Sequence, residues 1–254
     1  QRATLGLGVA AVAVALGRAT LWIQALRLHA DARRRGLPAS VALCTAAASA
    51  CERGAHWRGA VALLAEACAG RLRLDVVGFS SVLSACEKGA QWARGLAVLS
   101  DMRASHVPPN VISYSAVVGA CGRGGHWRHS LALAAELREH GLRPDAVCAA
   151  ASASACERGA KWELALAVTE RMHSDRLVLG MMAYGVAVSA CEKGSLWRTA
   201  AALLGAMRRN ALVPSGLVRN AALSACAWGA GWASALQMVS ELRGQAPDEG
   251  DAIG

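Results

Sequence analysis

The fold is decided by one stretch of the chain, residues 111–145, which reads VISYSAVVGACGRGGHWRHSLALAAELREHGLRPD. Ile112–Cys121 predicts a first helix, and Gly124–Gly125 supplies a break where a left-handed helix cap forms easily. A second helix is predicted to begin near Trp127 and to end at His140–Gly141. Its apolar residues recur at helical spacing: Leu131, Leu133, Ala134 and Leu137. The stretch is therefore a helix-turn-helix unit.

The same unit recurs along the chain with a fixed period. Seven tryptophans follow one another at a step of 35 residues: Trp22, Trp57, Trp92, Trp127, Trp162, Trp197 and Trp232. Six cysteines share that step, each directly after an alanine: Cys51, Cys86, Cys121, Cys156, Cys191 and Cys226. A constant period of this length is typical of a solenoid built from repeats.

The period divides the chain into seven windows without insertions. Windows 1 to 7 are residues 6–40, 41–75, 76–110, 111–145, 146–180, 181–215 and 216–250, of which the first and last are degenerate. Residues 1–5 are an N-terminal remnant and residues 251–254 a tail. Because a lone hairpin cannot bury its apolar face, we expect a single all-α array in which each window stacks on its neighbours.

The periodic alanines, tryptophans and cysteines are predicted to pack rather than to react. A small residue such as Ala120 lets neighbouring helices approach closely, and Trp127 fills the start of the second helix. A thiol in every window could form a ladder of ligands or redox sites, but free cysteine inside an apolar helix behaves as a small core residue. We therefore expect core filling from all three.

Composition narrows the possible functions. Lys and Arg number 27 against 18 Asp and Glu, a net charge of +9, which favours a polyanionic partner. The nine cysteines include no C-x-x-C pair, which argues against a structural zinc site. The sequence also lacks H-E-x-x-H, G-x-S-x-G and P-loop motifs. We expect no enzymatic activity, metal, cofactor or small-molecule substrate.

The apolar stretch Ala3–Gly17 has the composition of a signal-peptide core but is short for a membrane span. Arg18 and Trp22 follow it in the same register as the later windows. We therefore interpret it as the first helix of window 1, with no visible targeting segment and no membrane association.

The junctions between windows carry a family resemblance. The runs Gly141–Asp145, His106–Asn110 and Leu212–Ser215, with the run that follows one of them, Val111–Ser115, resemble the junction of pentatricopeptide repeats. The tetratricopeptide alternative has a shorter period and an early Trp and Gly-x-x-Tyr pattern that is missing here. The resemblance implies a right-handed α-solenoid of stacked 35-residue helix-turn-helix repeats.

In that family each repeat addresses one nucleotide of single-stranded RNA through its fifth and last residues. Thr45 with Asp75 resembles a guanine pair, Ser80 with Asn110 an adenine pair, and Ser115 with Asp145 a second guanine pair. Asn220 would favour a pyrimidine, but Gly250 gives it no partner side chain. Windows 5 and 6 depart from the pattern, with Ala150 and Gly180, and Gly185 and Ser215.

The second residue of every window is apolar, and in the family this position packs against base faces. The residues are Leu7, Ala42, Val77, Ile112, Val147, Met182 and Leu217. Val77, Ile112, Val147 and Met182 are the predicted base-packing residues. The alternative is ordinary packing at the start of a helix.

A row of cations recurs at the 35-residue step near the end of each first helix. These residues, the cationic row, are Arg18, Arg53, Lys88, Arg123, Arg158 and Lys193. Stacking would place them in a stripe suited to a phosphate backbone. The alternative is that each cation complements its helix dipole, worth up to about 1 kcal/mol. Glutamates directly before four of the cations, at positions 52, 87, 157 and 192, would moderate the field of the row.

These observations predict a sequence-selective adaptor that binds single-stranded RNA and recruits RNA-processing proteins. The resemblance implies a role in organelle RNA processing, stability or translation, in the chloroplast or the mitochondrion. The competing hypothesis is a protein-binding α-solenoid scaffold with no role in RNA metabolism, since solenoids also present extended surfaces to peptides.

Overall fold

A computed structural model describes residues 22–35, 41–70, 72–175 and 177–228 of the 254-residue chain. The described residues form twelve α-helices and no strand. The helices are α1 Trp22–Arg34, α2 Val41–Arg53, α3 Trp57–Ala69, α4 Val76–Lys88, α5 Trp92–Ala104, α6 Val111–Gly124, α7 Trp127–Glu139, α8 Ala146–Arg158, α9 Trp162–Ser174, α10 Met181–Lys193, α11 Trp197–Arg209 and α12 Gly216–Trp228. None of them is both long and apolar enough to cross a membrane.

The helices alternate between two kinds. The first helices, α2, α4, α6, α8, α10 and α12, begin at residues 41, 76, 111, 146, 181 and 216. Each second helix begins at a periodic tryptophan. The prediction of an all-α fold made of stacked helical hairpins is confirmed.

The turn between the two helices of each of windows 2 to 6 has one residue in the left-handed region. Ala55, Ala90, Gly125, Ala160 and Ser195 occupy equivalent positions and have φ angles between 51° and 68°. The predicted left-handed cap is confirmed at Gly125, whereas Gly124 remains the last residue of α6. The other four windows adopt the same turn without glycine, although this backbone conformation costs a non-glycine residue about 1–2 kcal/mol.

The chain divides into two compact units, unit 1 (residues 1–155) and unit 2 (residues 156–254). In unit 1, α2 packs against α4 and α4 against α6, so that first helices contact first helices of neighbouring windows. In unit 2, α10 packs against α12 in the same way. Large apolar side chains such as Phe79, Leu83 and Leu99 fill the core of unit 1, and Tyr184 and Met207 that of unit 2.

The periodic small residues lie at the centre of these contacts. The alanine and cysteine pairs Ala50–Cys51, Ala85–Cys86, Ala120–Cys121, Ala155–Cys156, Ala190–Cys191 and Ala225–Cys226 are all fully buried. Burial raises the pKa of the Cys51, Cys86 and Cys121 thiols to about 11, so they are protonated at neutral pH. The predicted core-filling role of these cysteines is confirmed.

The tryptophans pack against glycines of the next window. A β-carbon at Gly89 would lie 2.5 Å from Cδ1 of Trp57, and one at Gly194 would lie 2.8 Å from Cε3 of Trp162. The Trp22 ring also stacks on His56, with ring centroids 4.0 Å apart. The prediction of a packing role is confirmed for Trp22, Trp57 and Trp162, whose packing joins one window to the next, and Trp232 lies outside the described residues.

Candidate nucleic-acid interface

The second residue of each described first helix has an exposed side chain. The exposed fraction is 58% for Val77, 61% for Ile112 and 68% for Val147 in unit 1. It is 74% for Met182 and 83% for Leu217 in unit 2. The alternative of ordinary helix-start packing is therefore wrong for these five residues. Ala42 is exposed as well, and Leu7 lies outside the described residues.

The last residues of windows 2 to 4 cap the first helix of the following window. Asp75 Oδ1 accepts a hydrogen bond of 2.8 Å from Gly78 N, and Asp145 Oδ1 accepts one of 2.7 Å from Cys148 N. Asn110 Oδ1 accepts from Ser113 N at 2.9 Å. These are N-cap bonds, which satisfy a backbone donor that the helix leaves unpaired. The predicted base-selecting carboxylates and amide of windows 2 to 4 therefore already have a structural role.

The fifth residues lie beside these caps. Ser115 Oγ donates to Asp145 Oδ1 at 3.3 Å, so the two predicted base-selecting residues of window 4 are in direct contact. Ser80 Oγ instead donates to the Val76 carbonyl at 2.7 Å. Thr45 Oγ1 is buried and has no hydrogen-bond partner among the described residues.

Window 2 brings three predicted site residues around one open cavity of about 490 Å³. Thr45, Asp75 and Arg53 contribute to its lining, together with Val41, Ala42, Ala46 and Ser49. Arg53 belongs to the cationic row, and Thr45 and Asp75 form the predicted guanine pair. The cavity therefore combines a cation and a carboxylate at the place where the sequence predicts a nucleotide.

The described members of the cationic row are exposed, and Lys88, Arg123 and Lys193 bind the preceding window. Lys88 Nζ lies 3.0 Å from the backbone oxygen of Glu52 and 3.7 Å from its carboxylate. Arg123 Nε lies 2.8 Å from the backbone oxygen of Glu87, and Arg123 Nη2 lies 2.8 Å from the Glu87 carboxylate. Arg53 and Arg158 are also exposed, and Arg18 lies outside the described residues.

Unit 2 repeats this pairing. Lys193 Nζ donates to the backbone oxygen of Glu157 at 3.1 Å and to its carboxylate at 2.9 Å. These cations therefore bind the C-terminus of the preceding window's first helix, and they also lie in the last turn of their own helix. Phosphate contact by the cationic row stays a prediction, because these side chains already have partners.

Unit 2 offers few polar groups at the predicted base-selecting positions. Gly180 caps α10 without a side-chain hydrogen bond, and Gly185 contributes no side chain. Asn220 is exposed on α12, while its predicted partner Gly250 lies outside the described residues. Across the described parts of the chain, no three His, Cys, Asp or Glu side chains come together as metal ligands.

Known proteins share both the repeat and its fold. Residues 62–124 match the family model of the pentatricopeptide repeat domain. The structure of the pentatricopeptide repeat protein PPR10 from maize is similar over 92% of the chain, with 26% identity and a TM-score of 0.66. The chain therefore has the fold of pentatricopeptide repeat proteins, and its residues 62–124 also match their family model.

Two further pentatricopeptide structures resemble it. PPR10 in complex with an 18-nt psaJ RNA element has 24% identity and a TM-score of 0.73, and the chain covers 34% of its length. The pentatricopeptide domain of Arabidopsis thaliana protein-only RNase P 1, in complex with tRNA, has 13% identity and a TM-score of 0.60, over 78% of this chain and 95% of that one. No curated protein matches the sequence.

Two features of the repeats are not predicted by their sequence. The first is the capping role of Asp75, Asn110 and Asp145, for which the signal is an Asp or Asn directly before each helix start. The second is the bond that Lys88, Arg123 and Lys193 each make with a glutamate 36 residues earlier. Its only signal is the recurrence of Glu before Lys or Arg in successive windows.

Proposed function

We propose that the chain binds single-stranded RNA and selects bases through windows 2 to 4. The observation that carries the proposal is the row of exposed apolar second residues, among them Val77, Ile112 and Val147. An apolar side chain exposed once per repeat fits a ligand that presents a flat apolar face once per unit, as successive bases do. Protein–RNA complexes among the similar structures support the same class of ligand.

The base-selecting residues proposed are those of the predicted pairs. Thr45 with Asp75 and Ser115 with Asp145 would select guanine, and Ser80 with Asn110 would select adenine. Asn220 would contribute a weaker pyrimidine preference. Val77, Ile112, Val147 and Met182 would support the base faces, and the cationic row would attract the phosphates. The proposal assigns binding, not catalysis, to the chain.

Selection from a randomised single-stranded RNA pool tests the proposal. We expect enrichment of a motif containing G-A-G, read 5′ to 3′ from windows 2 to 4, beside matched DNA and duplex controls. If about 4–6 phosphates are neutralised, the log-log salt dependence should have a slope of roughly −3 to −4. A chain that retains no RNA at moderate salt contradicts the proposal.

The variant Asp145→Asn separates base selection from helix capping. Asn110 caps α6 with its amide oxygen, so an asparagine at residue 145 should cap α8 equally well. The variant also gives window 4 the same combination, Ser at the fifth residue and Asn at the last, that window 3 has. The enriched motif should change from G-A-G to G-A-A while the melting temperature stays the same. An unchanged motif argues against base selection by this residue.

The wider role follows from the family resemblance. We propose that windows 1 to 7 form one array that occupies or remodels organelle transcripts and recruits RNA-processing proteins in the chloroplast or mitochondrion. A fluorescent fusion of the full-length protein, imaged with markers of both organelles, tests the location.

A second candidate function is the binding of an apolar protein segment by unit 2. Here four exposed apolar side chains flank the starts of α10 and α12: Val178, Met182, Val213 and Leu217, with exposed fractions of 74% to 84%. Exposed apolar clusters mark interaction surfaces. Leu217→Asp should abolish the capture of peptides from a defined library and leave RNA selection by windows 2 to 4 unchanged. A library that yields no ligand contradicts this second function.

A further inference from the structure

We infer that Glu52, Glu87 and Glu157 set the affinity of the cationic row for polyanions. Each glutamate already binds a cation of the row that a phosphate would have to contact. The inference rests on the proposed RNA binding and names its regulation: the glutamates are positioning residues, and their removal should strengthen binding. The loss of a purely structural ion pair would not strengthen RNA binding, whereas the loss of these glutamates should.

The same two-point contact between a cation and a glutamate recurs along the chain. Lys193 Nζ uses two of its three N–H groups on Glu157, one on the backbone oxygen at 3.1 Å and one on the carboxylate at 2.9 Å. Arg123 presents Nε and Nη2 to Glu87 in the same two-point manner. A phosphate that approaches either cation must compete with a carboxylate already at hydrogen-bond distance.

The carboxylates are held more firmly than the cations. The Glu157 side chain is 20% exposed and also accepts a hydrogen bond of 2.8 Å from Ser189 Oγ, while Lys193 is 43% exposed. Burial raises the pKa of Glu87, partly offset by Arg123 and Lys88. The cation is therefore the partner that can turn towards a phosphate, while the carboxylate remains and opposes the incoming anion.

The chain supplies a matched control at the same position. Glu192 stands in window 6 where Glu157 stands in window 5, but window 7 has Trp228 in place of the next cation. Removing the Glu192 charge changes the net charge without releasing a member of the cationic row. Glu139, exposed at the end of α7, serves as the second control position.

The experiment compares Glu87→Gln/Glu157→Gln with Glu139→Gln/Glu192→Gln, which has the same net charge. RNA affinity is measured by fluorescence anisotropy with a G-A-G-containing single strand over a range of salt, and retention is measured on heparin. We expect the first pair to bind RNA about threefold to tenfold more tightly, with a steeper salt slope and later elution from heparin. The control pair should remain near the wild type.

The outcomes separate the inference from the proposed function. Equal affinities and equal heparin retention of the two double variants overturn the inference, even if the wild type selects RNA. Later heparin elution of the first pair without any RNA binding supports the inference and overturns the RNA function. Circular dichroism checks folding. If the double variant does not fold, Glu157→Gln alone carries the test, because its amide oxygen can still accept from Ser189.

Discussion

The two compact units differ in how the first helix of a window is capped by the last residue of the preceding window. In unit 1, Asp75 and Asn110 cap α4 and α6 with bonds of 2.8 and 2.9 Å. In unit 2, Gly180 has no capping side chain, and Ser215 Oγ lies 3.4 Å from Val218 N, a long bond. The capping residues of unit 1 serve the fold, and the proposed base selection would use the same side chains. Where the cap is lost, the predicted selectivity is lost with it.

Buried thiols at the same position of windows 4 and 6 should give the largest measurable difference. Burial raises the pKa of Cys121 in unit 1 from 9.0 to about 11. The pKa of Cys191 in unit 2 is also raised by burial, but its hydrogen bond with Thr199 acts in the opposite direction. Because the unfolded thiol ionises first, stability falls as pH rises from about 9 to 11, by roughly 1.4 kcal/mol per pH unit for a thiol such as Cys121.

Urea unfolding between pH 8 and pH 10, in the presence of reductant, measures this effect. Several such thiols act together, so the wild type should lose several kcal/mol. Cys121→Ala should flatten the pH dependence more than Cys191→Ala, which changes the same position of window 6. Equal slopes for the two variants would show that the thiol environments of windows 4 and 6 do not differ.

A pair of helical glycines tests the closeness of packing in each unit. A β-carbon at Gly122 in α6 would lie 2.9 Å from the carbonyl oxygen of Ala151, which cannot move without its helix. A β-carbon at Gly185 in α10 would meet Val218 Cγ2 at an ordinary 3.6 Å. Gly122→Ala should therefore cost about 1–3 kcal/mol despite its gain in helix propensity. Gly185→Ala should be neutral or stabilising by up to about 1 kcal/mol.

Thermal and urea unfolding measure the stability of the Gly122→Ala and Gly185→Ala variants. A stable Gly122→Ala variant would mean that α6 and α8 do not approach as closely as the structure shows. A destabilised Gly185→Ala variant would remove the predicted contrast between the units.

The sequence predicts the fold well because the period fixes local structure. The tryptophans and cysteines that recur every 35 residues, such as Trp127 and Cys121, locate both helices of a window and the side chains that pack between windows. The bond between Arg123 and Glu87 could not be predicted in the same way, because it depends on how far one first helix is displaced along its neighbour. A period of 35 residues is compatible with several such displacements. The rotamer that buries the Thr45 hydroxyl likewise depends on local packing beside Gly78.

Removal of a cap should have a moderate effect in unit 1 and a small one in unit 2. Asp75→Ala leaves Gly78 N without its 2.8 Å acceptor and should cost about 1 kcal/mol. Ser215→Ala removes only a bond of 3.4 Å and should cost less. Chemical denaturation of both variants measures the difference. A larger loss for Ser215→Ala than for Asp75→Ala would contradict the assignment of strong caps to unit 1.

Introduction of a cap into unit 2 gives the smallest expected effect and the most informative one. Gly180 has φ −80° and ψ 174°, an extended backbone that an aspartate adopts without strain, and a β-carbon there meets nothing within 4 Å. Glycine is itself a tolerated N-cap, so Gly180→Asp should gain only a few tenths of a kcal/mol. Stability alone would then barely change, whereas RNA selection would reveal whether window 5 acquires a base preference. A new preference without a stability gain would show that base selection needs the carboxylate itself. A stability gain without a new preference would show that Ala150 at the fifth residue leaves the window unable to select a base.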